Sequence, residues 1–105
     1  MTRRIVITGM GWVTPLGDDV DAAWARLMKG DSGIGRVTRF DASTFATNFA
    51  GEVRNFDLGK FIADPGAHGH AGASSRYALA AAAQAMKQSG LRIGEGPGAI
   101  KARRV

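Results

Sequence analysis

The chain of 105 residues contains no cysteine and only two histidines, His68 and His70. The lack of cysteine excludes disulfide bonds and thiolate metal sites within these residues. A zinc site built on the two histidines would need carboxylate ligands as well, and two solvated loop histidines are the simpler interpretation. The residues therefore predict no metal ion and no cofactor.

Long apolar runs are also lacking, and none approaches the roughly 20 residues that a membrane helix needs. The first apolar run ends after three residues, and acidic Asp18 and Asp19 follow, which is unlike a secretory signal peptide. With 45% hydrophobic and 22% charged residues, the composition is that of an ordinary globular protein. We expect a cytoplasmic protein with no membrane span.

Positive charge is present but not concentrated, and the formal net charge is +5. Residues 95–105 hold three cations against one carboxylate, which accounts for +2, and the remaining charges are scattered. A nucleic-acid surface would show a clustered basic stripe with interleaved aromatic residues. We therefore predict a solvated surface with a basic tail and no nucleic-acid partner.

The most informative segment comprises residues 1–17. Residues 3–8 predict a strand that enters a turn containing Gly9 and Gly11. Residues 5–7 are consecutive apolar residues, so both faces of this strand are apolar. That pattern favours a central strand of a parallel α/β sheet over a half-exposed hairpin. The glycines would permit a tight turn from the strand toward a helix.

Two helices are well signalled. Asp18 or Asp19 is placed to cap the first, and Gly30 to end it in the left-handed conformation. The second is predicted from Ser74 or Ser75 and ends at Gly90. Apolar residues at steps of three and four predict one buried stripe on the first helix. They are Val20, Ala23, Trp24, Leu27 and Met28.

Weaker signals lie between the helices. Residues 31–35 predict a structural loop, residues 49–53 a short strand, residues 57–62 a helical turn, and residues 64–72 a loop. Three phenylalanines are expected to fix the irregular segment against the core: Phe40, Phe45 and Phe49.

No catalytic constellation can be assembled from these residues. The pair Gly9 and Gly11 after a strand suggests dinucleotide binding, but the third glycine at the start of a helix and the later acidic residue are missing. A serine nucleophile elbow and a suitably spaced carboxylate pair are missing as well. The residues alone therefore predict no catalytic and no cofactor-binding residue.

Several blocks resemble, in the correct order, the β-ketoacyl-acyl-carrier-protein synthases, the condensing enzymes of fatty-acid and polyketide synthesis. The blocks are residues 4–17, 24–30, 32–35, 38–41, 50–53 and 75–82. The likeness covers roughly residues 3–92 and is greatest to the elongating synthase II type. Each block is weak by itself, but their order makes coincidence improbable.

The resemblance implies a thiolase-like fold with layered αβαβα architecture, usually as a homodimer. It also implies a Claisen condensation, in which an acyl group moves from acyl-carrier protein to a cysteine and decarboxylated malonyl-carrier protein attacks it. Two histidines and an oxyanion pocket would stabilise the developing charge. None of these residues can be assigned here, because the family's cysteine and histidine motifs lie beyond this chain, and His68 and His70 match neither.

We therefore predict an α/β fragment of a thiolase-like fold with an incomplete sheet, inactive alone. Residues 1–93 would form the N-terminal portion of the synthase domain, and residues 94–105 an irregular basic tail. The sequence departs from the family pattern at residues 65–73 and again after residue 93. These departures suggest a truncated, frame-disrupted or partial sequence. The alternatives are an interaction module that pairs with a full-length synthase or carrier protein, and a small nucleotide-binding α/β protein. Uncovered apolar surface predicts poor solubility or partial disorder.

Overall fold

The computed structural model describes residues 2–94 and 97–100. Along the chain, a first helix is followed by the two strands of a small sheet, then by two short 3₁₀ turns and a second helix. The elements are α1 (Val20–Met28), β1 (Ile34–Arg36), β2 (Phe49–Gly51), the 3₁₀ turns Leu58–Lys60 and Pro65–His68, and α2 (Ala73–Ser89). Strands β1 and β2 are antiparallel, with Ile34 opposite Gly51. The sheet is incomplete, as predicted.

The strand predicted for residues 3–8 does not form. Ile5 is 94% exposed and Ile7 86% exposed, and Val6 between them is also exposed. A strand needs neighbours to accept and donate its backbone hydrogen bonds, and the described part of the chain pairs none with this segment. The prediction of a central parallel strand is therefore wrong for these residues, although both faces of the segment are apolar.

Helix α1 begins and ends as predicted, but its apolar stripe is not buried. The Asp19 carboxylate accepts a hydrogen bond of 2.7 Å from the Ala22 N–H, and Gly30 has a φ of 77°. Ala23 is 2% exposed, whereas Trp24 is 55% exposed and Met28 is also exposed. The prediction that Trp24 belongs to the core is wrong within the described chain, because no described element covers this face.

Helix α2 agrees with its prediction within one or two residues at its start, and it ends before Gly90, whose φ is 70°. Alanine favours helix strongly, and Ala80 on this helix is completely buried. Leu58, in the first 3₁₀ turn, is buried as well, and this turn contacts α2. Ala23 and Ala42 are the other buried apolar residues of the described chain, so the core is small.

The segments between the helices differ in part from their predictions. The turn at residues 57–62 is confirmed, since the Asp57 carboxylate accepts from the Gly59 N–H at 2.9 Å. The strand at residues 49–53 is confirmed for its first three residues. The loop predicted at residues 31–35 contains the start of β1, because pairing with β2 recruits Ile34. The loop predicted at residues 64–72 contains the second 3₁₀ turn, capped by the Asp64 side chain.

The three central phenylalanines are exposed rather than packed on the core. Phe40 and Phe45 pack against each other edge to face, with ring centroids 5.7 Å apart. Two aromatic rings in mutual contact hide some apolar area, but they do not replace a core. The prediction that these residues fix the segment against the core is therefore wrong here.

The predicted tail lies partly outside the described residues, namely at 95–96 and 101–105. In its described part, Ile93 and Ile100 form a parallel bridge, and the Ile100 N–H donates to the Arg92 carbonyl at 2.7 Å. The domain boundary after residue 93 stays a prediction. Within residues 2–94 and 97–100, no helix is both long and apolar enough to cross a membrane.

Candidate functional site

The segment after residue 8 lies directly against α2. A Cβ added to Gly9 would stand 2.8 Å from the Ser89 backbone nitrogen, and one added to Gly11 would stand 2.6 Å from the Gln84 Cβ. Neither glycine has a positive φ. The two glycines therefore allow the backbone to pack closely on the helix, whereas the sequence had suggested a tight turn at these positions.

Side-chain amides of α2 hold this segment in place. The Gln84 amide nitrogen donates to the Asp18 carbonyl at 2.6 Å and to the Trp12 carbonyl at 3.1 Å. One turn further along the helix, the Gln88 carbonyl oxygen accepts from the Met10 N–H at 2.7 Å. These contacts satisfy three backbone groups of residues 10–18.

The same geometry removes the support for dinucleotide binding. In that motif the glycines let pyrophosphate approach the start of a helix. Here Gly9 and Gly11 face the flank of α2, and α1 begins only at Val20. The space that a pyrophosphate would need beside the glycines is filled by helix backbone.

A buried carboxylate organises the segment beside the β1–β2 ribbon. Glu52 is 8% exposed and accepts hydrogen bonds from the Thr38 N–H at 3.0 Å, the Thr38 hydroxyl at 2.8 Å and the Arg39 N–H at 3.3 Å. The Arg54 guanidinium lies 3.4 Å from the same carboxylate. The hydrogen bonds from Thr38, its backbone N–H first, lower the pKa of Glu52 despite burial. An ionised, fully bonded carboxylate suits a structural role.

A second contact joins this ribbon region to α2. The Arg39 Nη2 donates to the Tyr77 hydroxyl at 2.6 Å and to the Val53 carbonyl at 3.0 Å. The hydrogen bond to Tyr77 raises the pKa of Arg39. The sequence did not predict this contact, because the two residues are 38 positions apart and neither belongs to a recognisable motif.

A groove of about 460 Å³ lies between the turn at residues 14–17 and the ribbon. We call it the basic groove, because its described lining includes Arg26, Arg36 and Arg54 and no carboxylate. The Arg26 side chain is fixed on the Leu16 carbonyl at 2.8 Å, and that of Arg54 on the Arg36 carbonyl at 2.9 Å. Guanidinium groups attract anionic partners, although Arg26 lies 3.4 Å from the Asp31 carboxylate and Arg54 3.4 Å from that of Glu52, which neutralises part of this charge. The three guanidinium groups come from α1, from β1 and from the loop after β2, so no local sequence pattern marks this groove.

An apolar cavity of about 300 Å³ lies behind the same turn. Trp12, Leu16, Leu27 and Ile34 contribute to its lining, and Leu27 and Ile34 are exposed. The cavity and the exposed residues 5–7 both offer apolar surface that water covers in this chain, which is typical of a contact surface for further polypeptide.

Neither histidine joins a catalytic arrangement. His68 is half-buried at the end of the second 3₁₀ turn, and His70 is exposed two residues later. Among the described residues, no group of three histidine, aspartate or glutamate side chains could hold a metal ion. What the structure assembles is a set of packing contacts, a basic groove and uncovered apolar surface.

Comparison with known proteins gives a consistent result. Residues 2–99 match the family model described as β-ketoacyl synthase, N-terminal domain. The chain is 41% identical over 93 residues to 3-oxoacyl-[acyl-carrier-protein] synthase 2 of Vibrio harveyi and 44% identical over 93 residues to the protein of the same name from Coxiella burnetii. Each alignment covers 89% of this chain and 22% of the relative, so the chain spans about a fifth of their length.

A solved structure also matches. The ishigamide ketosynthase/chain length factor superposes with a TM-score of 0.66 at 32% sequence identity, over 84% of this chain and 24% of that one. The described elements therefore take the arrangement of the corresponding part of a ketosynthase fold, even though most of that fold has no counterpart here.

Proposed function

We propose that the chain forms the N-terminal part of a 3-oxoacyl-acyl-carrier-protein synthase of fatty-acid or polyketide synthesis. The premise is that the chain belongs to the β-ketoacyl synthase family. The observation that carries this proposal is the match of residues 2–99 to the N-terminal domain of that family. Relatives named 3-oxoacyl-[acyl-carrier-protein] synthase 2 and the thiolase-like ketosynthase fold support it.

In the proposed reaction, malonyl-carrier protein loses carbon dioxide, and the carbon from which it leaves forms a bond with the acyl group. A cysteine carries the acyl group in the mechanism that the family resemblance implies. This chain holds no cysteine, so the proposal assigns bond formation to the remaining four-fifths of the synthase. The role of the present residues is to supply the packed segment over α2 and the ribbon held by Glu52.

The proposed partners are acyl-carrier protein, malonyl-carrier protein and, for the complete synthase, a second copy of itself. Relatives named for the acyl-carrier protein support the first. The homodimer and the malonyl-carrier partner come from the family resemblance. The cytoplasmic location stays a prediction from the sequence.

A chimeric synthase tests this function. The aligned 93 residues of the Vibrio harveyi relative are replaced by the matching residues of this chain, and condensation of acyl-carrier with malonyl-carrier protein is measured. We expect the chimera to condense and this chain alone not to. Turnover by this chain alone, or an inactive chimera that is folded and dimeric like its parent, would contradict the proposal.

A second candidate function is an interaction module that pairs with a complete synthase or a carrier protein. The basic groove and the exposed apolar residues favour it. Co-elution of this chain with an intact synthase or an acyl-carrier protein would support it, and replacing Arg36 and Arg54 by alanine should then weaken the carrier complex. Absence of any complex, together with an active chimera, would leave only the first function.

A further inference from the structure

We propose that a cavity between α2 and the segment after β2 binds the carboxylate of a small organic acid. The cavity measures about 280 Å³ and is distinct from the basic groove. Its lining consists of Arg39, Val53, Phe56, Ala73, Arg76 and Tyr77. Two of these residues are cations, and no carboxylate belongs to the described lining.

The first argument is an unsatisfied donor. The Arg76 Nε is buried and has no hydrogen-bond partner within the described residues. A buried donor that loses its water and gains no acceptor destabilises the fold, and more so when the group is charged. This donor can pair with a ligand only when the Arg76 side chain turns its Nε toward the cavity, and an ionised oxygen is then its strongest partner.

The second argument is the position of Arg39. Two of its N–H groups are used by the Tyr77 hydroxyl and the Val53 carbonyl, so its guanidinium is held at the wall of the cavity. The N–H groups on its other nitrogens are left for a further acceptor. Glu52, the nearby carboxylate, is already bonded to Thr38 and close to Arg54, and it is not in the cavity lining.

The start of α2 adds to the positive potential. Ala73, the first residue of this helix of 17 residues, lines the cavity, and its N-cap Gly72 supplies no side-chain hydrogen bond. The free N–H groups at such a terminus and the helix dipole both favour an anion nearby. This effect supports the two guanidinium groups and does not replace them.

Size and lining define the class of ligand. A volume of 280 Å³ is at the small end of ligand pockets, which are commonly about 300–1,000 Å³. Phe56 packs edge to face on Tyr77 with ring centroids 4.9 Å apart, and together with Val53 it gives the cavity an apolar wall. A short aliphatic acid meets both requirements, with its carboxylate between the guanidinium groups and its carbon chain against Phe56.

The experiment observes the donor itself. In the ¹⁵N-labelled chain, the arginine Nε–H resonances are followed during titration with sodium butyrate at constant ionic strength. We expect a saturable shift of the Arg76 resonance. Sodium phosphate tests charge without a carbon chain, butanol tests the chain without charge, and N-acetyl-aspartate amide represents an acidic side chain of another polypeptide.

Arg76→Lys keeps the charge and removes the planar donor group, so it should weaken butyrate binding at least tenfold. Arg26→Lys in the basic groove is the matched control and should leave binding unchanged. The titration of the unsubstituted chain stands by itself if the Arg76 variant does not fold. An Arg76 resonance unmoved by butyrate, a response to phosphate or butanol equal to that of butyrate, or a response to the aspartate amide alone would each overturn the proposal.

Discussion

Glu52 illustrates how much a single side chain can organise without belonging to a catalytic motif. Its two carboxylate oxygens accept hydrogen bonds from Thr38 and Arg39, which follow β1, and lie close to Arg54, which follows β2. Buried carboxylates of this kind are stable when every oxygen has a donor. From the sequence, Glu52 was predicted only as one residue of a short alternating strand. Its donors Thr38 and Arg39 follow the other strand of the ribbon, so the strand pattern gave no sign of them.

Glu52→Gln should give a pH-dependent loss of stability. Hydrogen bonds from Thr38 lower the pKa of Glu52 in the folded chain, so the unfolded chain binds this proton more readily. Glu52 therefore contributes stability above the ordinary glutamate pKa of about 4.3. That contribution is lost as the pH falls through the lower pKa of the folded state.

Urea unfolding of both chains between pH 7 and pH 3 measures this effect. We expect the unsubstituted chain to be the more stable at pH 7 and the difference to shrink toward pH 3. Thr38→Val, which removes one donor to the carboxylate, should reduce the pH-dependent part. A difference that stays constant over the whole range would contradict the assigned cause.

Gly11→Ala tests the close packing on α2. The added Cβ would stand 2.6 Å from the Gln84 Cβ, which is too close for two carbon atoms, so the segment must move away from the helix. Overpacking of this kind costs about 1–3 kcal/mol, measurable as a lower urea midpoint.

Gly66→Ala is the control for this substitution. Its Cβ would meet only the Asp64 carboxylate oxygen, at 3.4 Å, and we expect a change below about 0.5 kcal/mol, as for most surface substitutions. Equal effects of the two substitutions would show that the packing of the segment on α2 is not tight.

At the scale of elements, local signals were reliable and non-local ones were not. The caps at Asp19, Gly30 and Gly90 act within a few residues of themselves, and both helices accordingly begin and end close to their predicted limits. The strand at residues 3–8 depends on partners distant in sequence, and it does not form without them. The Arg39–Tyr77 contact and the basic groove were unpredictable for the same reason.

Gln84 is the residue of α2 that we expect to contribute most to holding the segment after residue 8 on this helix. Its amide bridges α2 to Trp12 and Asp18, residues 72 and 66 positions away. Gln84→Leu removes both hydrogen bonds, and at about 1 kcal/mol for each the segment should lose roughly 2 kcal/mol of its attachment.

Hydrogen exchange of the Trp12 indole N–H, which donates to the Asp19 carbonyl at 2.9 Å, measures this loosening. Exchange should accelerate in Gln84→Leu. Lys87→Leu makes a comparable apolar change on an exposed position of the same helix and should leave the exchange rate unchanged. Unaltered exchange in Gln84→Leu would show that the glycine packing holds the segment unaided.

The whole molecule is more extended than its length requires. Its radius of gyration is 17.7 Å, with extents of 57 × 34 × 25 Å, whereas a compact domain of about 100 residues has a radius near 13 Å. The buried apolar residues are few and mostly small. Isoleucine, tryptophan and phenylalanine side chains lie at the surface instead, where each forgoes the roughly 1.5–3 kcal/mol that burial of a large apolar side chain provides.

Replacing Ile5 and Ile7 by lysine should therefore have opposite effects in two settings. In this chain, where both side chains face water, the double variant should bind less of an apolar fluorescent dye and stay soluble at higher concentration. In the chimeric synthase, we expect these side chains to lie inside the completed sheet. Two buried lysines would cost far more than the fold can offset, so condensation activity should be lost.

Measuring the variant in both proteins separates the effect of lysine on an exposed surface from its effect in a core. Ser43→Lys with Thr44→Lys adds the same charge at exposed polar positions, and it should leave both dye binding and chimera activity close to their original values. If the Ile5 and Ile7 variant kept full activity in the chimera, the apolar faces of this segment would not be core surfaces. The incomplete sheet would then have to be explained by something other than missing polypeptide.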